Sequence, residues 1–274
     1  MLGHAERLGY LGSGVPFTGS GAPSARSGAP FTGPGFTSAP SGPPSAPSGP
    51  PSGPLGRLDS QVAHSAAFAD LVLDLLPTCL HRRLGIVDLG TGGGVPGLVV
   101  ACRLAATLAA ARPQAATGRE DLAATSPPAA EGAHLWLVEA SESKAAFLAD
   151  AVSQLGLSGH VSVIRARAEA LGRDAAFRGA VDVVTARAFG KPAVTAECAA
   201  PLLAPGGVLV VSEPPPDGGS LASRWPPAGL SELGLGEPRF RQVGSYGFVL
   251  LPRQRQCPAR FPRRVGVPAK RPLF

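Results

Sequence analysis

The chain has 274 residues; 36 glycines and 30 prolines make up about a quarter of it, and hydrophobic residues reach 44% with aromatics at only 5%. This composition leaves room for a core but excludes one built mainly from rings, so Ala, Val and Leu must fill it once the Gly/Pro excess is set apart. The 25 Lys and Arg exceed the 19 Asp and Glu by a formal net charge of +6, too small a balance to define a partner unless the cations cluster. Residues 12–56 are almost entirely Gly, Ser, Pro, Ala and Thr, with near-repeats at 28–33 and 40–54. Such a stretch cannot bury enough apolar surface to offset its ordering entropy. Residues 1–57 therefore read as a disordered tail, and 58–274 as one folded domain.

Asp59 or Ser60 can cap an amphipathic helix over about 60–76, carrying Val62, Phe68, Leu71, Val72 and Leu75 and stopped by Pro77. Residues 84–88 form a short apolar strand that meets a glycine cluster, and 95–111 follow as a helix with Pro96 in its first turn. Residues 112–132 have no period and read as a low-complexity insertion. The rhythm resumes with strand 134–139, helix 143–155, strand 160–165, a helical turn near 168–173, strand 181–186, helix 192–203 and strand 207–212. Strands alternating with helices predict a parallel sheet with right-handed crossovers. Beyond Pro214 a Pro- and Gly-rich loop leads to strands 239–243 and 246–251, joined by the tight Gly244-Ser245 connection. An antiparallel hairpin thus closes a seven-stranded α/β sheet.

The residues with most chemical content lie between the first strand and its helix. In 88–97 (DLGTGGGVPG), glycines between a strand and a helix let a ligand approach the backbone at the carboxyl end of the sheet. Read from Gly92 through Gly94 to Gly97, the loop satisfies a dinucleotide fingerprint as well, so spacing alone leaves NAD and S-adenosylmethionine open. Asp88 favours the second. A carboxylate at the strand tip repels a pyrophosphate and suits an ammonium and a sulfonium. Glu139 ends the next strand, where a carboxylate can accept from both hydroxyls of a ribose. Ala168 and Glu169 follow the third strand and place a small residue and a backbone amide beside an adenine edge. Arg187 stands just beyond the fourth strand, able to meet a cofactor carboxylate or an RNA phosphate, or to pair with Asp182 on the surface.

Four segments carry a family resemblance: 87–98 (VDLGTGGGVPGL), 138–147 (VEASESKAAF), 165–169 (RARAE) and 185–189 (TARAF). Together with 261–273 (FPRRVGVPAKRPL) they resemble the small-subunit ribosomal RNA guanine-N7 methyltransferases, called RsmG or GidB, over roughly residues 61–273. The resemblance implies a class I S-adenosylmethionine-dependent methyltransferase fold, Rossmann-like, acting on N7 of guanine 527 of 16S rRNA or of the small ribosomal subunit. It also puts Gly90, Val95, the Ala168-Glu169 pair and Arg187 against the cofactor. N7 offers a free lone pair, so its methylation needs no general base and no acid–base pair is expected. Where the family carries a Leu-Lys-Gly-like segment after the fifth strand, this chain has Ser212, Glu213 and Pro214, an anion in place of a cation near the substrate mouth. The same core could serve a small molecule, another RNA, or a catalytically degenerate ribosome-binding paralogue.

Residues 252–274 hold Arg253, Arg255, Arg260, Arg263, Arg264, Lys270 and Arg271 and no acid, which reads as an RNA-facing basic strip. No stretch approaches the roughly 20 uncharged apolar residues of a membrane span, and residues 1–11 lack the apolar run of a signal peptide. Cys79, Cys102, Cys198 and Cys257 are scattered without a CxxC pair, and no His completes a zinc ligand set with them. A cytoplasmic monomer with reduced thiols, no metal and no membrane contact is expected.

Overall fold

Six of the seven strands in the computed structural model are rich in Val, Leu and Ile, and two of them, β1 (Leu84–Leu89) and β4 (Val181–Ala186), are buried along their whole length. Continuous burial is what a central parallel strand requires, because helices cover both of its faces. The structure describes residues 54–75, 84–110, 132–214 and 220–274; most of the expected tail and most of the expected insertion lie outside them. The remaining strands are β2 (Ala133–Glu139), β3 (Val161–Arg165), β5 (Leu203–Glu213), β6 (Arg239–Val243) and β7 (Tyr246–Pro252). They form one sheet in the order β3-β2-β1-β4-β5-β7-β6. Strands β1 to β5 run parallel, and β7 pairs antiparallel with both β5 and β6.

Helices α1 (Pro54–Asp74), α2 (Gly97–Ala110) and α3 (Glu142–Gln154) supply one core with the sheet, including Phe68, Val72, Leu98, Leu104 and Leu148. Phe68 meets Phe248 of β7 edge-on, ring centroids 4.8 Å apart, which ties α1 to the hairpin. The opposite core gathers α4 (Ala168–Leu171), α5 (Pro192–Ala199), α6 (Leu221–Arg224), α7 (Pro227–Glu232) and the chain beyond β7, which ends in α8 (Val267–Lys270). Its large members include Trp225, Leu230 and Phe261, all buried.

Most expected elements appear within a residue or two; the exceptions have local causes. Helix α1 starts at Pro54, so its first residues come from the Gly/Pro-rich stretch and the expected boundary at 57/58 falls inside it. Helix α5 stops at Ala199, and β5 begins four residues before the expected strand. Between Leu203 and Val208 the pairing with β4 shifts register, forming an irregularity at Ala204-Pro205-Gly206-Gly207. Gly206 sits at φ 77°, and a Cβ on Gly207 would lie 3.0 Å or less from three backbone carbonyl oxygens. Glycines and a proline hide the period there, as they do at bulges generally. The loop after Pro214 carries α6 and α7, too short to show a period; Ser220 caps α6, its Oγ accepting from the Ala222 amide at 3.2 Å.

Every loop that follows a parallel strand opens at one edge of the sheet, where β1, β2, β3 and β4 end side by side. The insertion joins the opposite edge: it leaves α2 at Ala110 and returns at Gly132, whose carbonyl accepts from Leu84 at the start of β1 (2.9 Å). Replacing residues 113–130 by a short Gly/Ser linker is therefore expected to shift the melting temperature by less than about 5 °C. A larger drop in a thermal melt would mean that the insertion packs on the core.

Candidate functional site

The glycine loop has to turn sharply out of β1 while leaving its backbone open, and Gly90 and Gly97 show why glycine is required. Gly90 adopts φ 65°, and a Cβ there would lie 2.6 Å from the Phe189 ring. Gly97 opens α2 against the strand, and a Cβ would come within 2.4 Å of Leu137 and 2.7 Å of Asp88 Oδ2. Any side chain at Gly97 would push α2 off the sheet. The Gly90 and Thr91 amides donate to the Val138 carbonyl at 2.9 and 3.1 Å, docking the loop on the end of β2.

Glu139, the last residue of β2, holds the loop from its other side. Its Oε2 accepts from the Gly92 amide at 3.0 Å and its Oε1 from the Ser141 amide at 2.8 Å. A carboxylate has about four acceptor sites, so both oxygens keep capacity for further donors. Beside it opens a cavity of about 350 Å³, lined by Gly90, Glu139, Ala168, Glu169, Phe189 and Ala269 among others. That size falls in the range of small-molecule and cofactor sites.

Of the residues singled out in the sequence, Gly90, Glu139, Ala168 and Glu169 line this cavity. Gly92 reaches it through its bond to Glu139. Gly94 and Val95 shape the loop behind, Val95 packing with Leu58, Val99 and Phe147. Asp88 does not stand at an open strand tip; it is wholly buried inside β1, where Oδ1 accepts from Thr185 Oγ1 at 2.7 Å and Oδ2 has no hydrogen-bond partner. Its influence on a ligand is thus one of charge across a low-dielectric gap rather than of contact. Burial lifts its carboxyl to about 6, against the Thr185 bond, the nearby Thr91 and Gly97 groups and the Arg187 charge, which all pull it down.

Arg187 is half-buried beyond the end of β4, while Asp182 sits near the start of that strand and accepts from the Gly85 amide at 2.9 Å. The strand's length separates the two, so the surface ion pair is not formed. Arg187 lies within electrostatic reach of Asp88 and Tyr246 instead, and its charge, after burial, helps to push the His64 imidazole down to about 4. His64 stacks on Tyr246 with centroids 4.6 Å apart and planes 7° from parallel. Composition and spacing gave no signal for this aromatic stack, because its members lie on α1 and β7. Phe189, Lys191, Val194, Cys198 and Ala269 line the cavity and were missed in the sequence; of these, Phe189 and Ala269 lay in segments already marked by resemblance. Ala188 beside them takes φ 51° without being glycine, a strained conformation of the kind that gathers at sites.

Glu213 does not present an anion to a substrate. Its side chain is buried, accepts from Trp225 Nε1 at 3.1 Å and pairs with Arg224, so its charge is absorbed by the α6 segment. The basic strip is also less free than its composition suggested. Arg253 donates to the Leu203 carbonyl, Arg255 to Ser231 and Arg263 to Glu197, while Arg264, Lys270 and Arg271 are exposed. Among the described residues no group of three His, Cys, Asp or Glu could hold a metal ion, and no helix is long and apolar enough to cross a membrane.

A sheet ordered 3-2-1-4-5-7-6 with an antiparallel β7, a glycine loop after β1 and an acidic residue at the end of β2 define a class I S-adenosylmethionine-dependent methyltransferase. The family profile GidB, rRNA small subunit methyltransferase G, matches residues 128–213. Three proteins called ribosomal RNA small subunit methyltransferase G are similar over most of the domain. That of Rubrobacter xylanophilus is 36% identical over 207 residues, covering 69% of this chain and 64% of that protein. That of Parasynechococcus marenigrum is 32% identical over 208 residues, covering 70% and 69%. That of Deinococcus radiodurans is 33% identical over 216 residues, covering 76% and 73%. The chain belongs to the ribosomal RNA small subunit methyltransferase G family.

The burial of Asp88 has a measurable sign. Its folded pKa, about 6, stands above the ordinary 3.8, so the protonated form stabilises the fold; that contribution is whole below about pH 4 and is lost as pH rises through about 6. Asp88→Asn does not titrate. Between pH 4.5 and 7.5 the stability difference between variant and wild type is expected to move in the variant's favour by on the order of 2 kcal/mol. Parallel pH profiles in denaturant melts would expose Asp88 as ionised and paired throughout.

Proposed function

We propose that this protein transfers the methyl group of S-adenosylmethionine to N7 of a guanine in 16S ribosomal RNA, acting in the cytoplasm as a monomer on the small ribosomal subunit. The observation that carries the reading is the cavity in which Gly90, Glu139 and Ala168 meet beyond the carboxyl ends of β1, β2 and β3, in a chain of this family.

The residues present fit the cofactor. Gly90 lines the cavity with bare backbone packed on the Phe189 ring, Glu139 offers acceptors suited to a ribose diol, and the buried carboxylate of Asp88 favours a ligand carrying ammonium and sulfonium charge. Ala168 and Glu169 border the adenine end, Gly92, Gly94 and Val95 fix the loop, and Arg187 stands beside the mouth, able to meet a carboxylate or a phosphate. When bound, the cofactor would supply an electrophilic methyl group to the N7 lone pair, with its sulfur as the leaving group and the positive charge passing to the base.

No proton leaves N7 in that step, so the chain has none to abstract. Its contribution is alignment and exclusion of water. The Glu139 bonds to Gly92 and Ser141 hold the loop before ligand arrives, and Phe189 closes the floor under Gly90.

Small subunits from cells lacking this protein, incubated with it and methyl-labelled S-adenosylmethionine, are expected to gain label as 7-methylguanosine in 16S rRNA. Gly90→Val, which drives a side chain into Phe189 at a positive φ, should abolish the transfer. Label on another atom of the base, or none in RNA while a small molecule is methylated, would overturn the assignment.

A further inference from the structure

The segment after β7 has the composition of a phosphate-binding strip, yet its strongest contacts run inward. Arg178, in the turn before β4, donates to four backbone carbonyls: Gly172 at 3.1 Å, Phe261 at 2.7 Å, and Cys257 and Pro258 at 3.0 Å each. Phe261 is buried in the core beside α5. Arg263 then meets Glu197 of α5, which has no exposed surface. The Arg263 amide and Nε both donate to Oε1 at 2.8 Å, and Nη2 donates to Oε2 at 2.6 Å. The same Nη2 also donates to the Arg271 carbonyl at 2.7 Å, closing the segment on itself.

A second buried carboxylate takes its donor from the same stretch. Glu169, 3% exposed, accepts from the Gly266 amide at 2.9 Å and lies 3.4 Å from Arg167. Burial pushes its carboxyl up, but the Gly266 bond and Arg167 more than offset this, and the group is held below its ordinary value. A carboxylate withdrawn from water is costly unless bonded on several sides, so Glu169 and Glu197 each hold the segment where it lies. Directly after the second clasp, α8 places Ala269 on the wall of the cavity that also contains Glu139 and Ala168.

We propose that residues 261–271 form the outer wall of the adenine end of the cofactor cavity, with Glu197–Arg263 and Glu169–Gly266 as the clasps that position it. The proposal rests on the S-adenosylmethionine reading of the site. If Glu139 takes the ribose and the cationic end lies toward the Asp88 charge, the base extends the other way, along Ala166 to Glu169. On that side the facing surface comes from Val194, Cys198 and Ala269, small or apolar groups that suit the face of a purine. The strip thus acts first on the cofactor, and its exposed Arg260, Arg264, Lys270 and Arg271 are left to meet RNA.

Calorimetric titration of S-adenosylmethionine and S-adenosylhomocysteine into the full chain tests this, with Ala269→Ser, Ala269→Phe and Glu197→Gln compared with wild type and RNA binding measured alongside. Ala269 is exposed on its cavity side, so both of its variants should fold. Ala269→Phe should weaken both cofactor forms about tenfold or more with the melting temperature and RNA affinity unchanged, and Ala269→Ser should bind as wild type does. Glu197→Gln should weaken the cofactor as well. If Ala269→Phe stays within about twofold of wild type for the cofactor, or weakens RNA binding instead, the wall assignment is wrong while the cofactor reading stands. If wild type itself binds neither form, both fall together.

Discussion

A carboxylate at the end of a buried parallel strand, with a loop of glycines folded around it, is the constraint on which the rest of this molecule depends. Glu139 accepts from Gly92 and Ser141 and so fixes the glycine loop relative to β2. One strand away, Asp88 sits under the same loop and is reached by Thr185 from β4. Neighbouring strands therefore specify the loop through side chains as well as through the ladder. The arrangement works only if α2 comes close to the sheet, which the lack of a Cβ on Gly97 permits. Buried charge of this kind stabilises weakly or not at all; its use is to prepare an electrostatic environment before a ligand arrives.

Much of this was legible in the sequence because the signals were local. The alternation of apolar runs with helical periods gave the parallel core, and Gly244-Ser245 between two strand-like runs gave the hairpin. The positions of Gly90, Glu139, Ala168 and Glu169 at the carboxyl edge followed from their place just after strands. Asp88 was placed at the right strand but in the wrong environment, since no local pattern says whether a strand-end carboxylate points to solvent or beneath its loop. That depends on Thr185, 97 residues away.

Long-range pairing explains the other differences. Glu213 looked like an anion at a substrate mouth until Trp225 and Arg224 on the following segment were seen to enclose it. The C-terminal cations looked alike in composition, yet Arg263 is bound to a buried glutamate while Arg264 beside it is exposed. Charge counting treats those neighbours as equal; the fold does not. The stack of His64 on Tyr246 was invisible for the same reason, being assembled from α1 and β7.

The central claim is that the cavity between Gly90, Glu139 and Ala168 is the S-adenosylmethionine site. Its most direct measurement is an isothermal titration of the full chain with S-adenosylmethionine and, separately, with NAD, repeated on Glu139→Ala. The account predicts saturable one-to-one binding of S-adenosylmethionine, none of NAD, and a loss of about tenfold or more in the variant, as expected for a charge-assisted bond of roughly 1.5–3 kcal/mol. Tight binding of NAD, or S-adenosylmethionine affinity indifferent to Glu139, would contradict it.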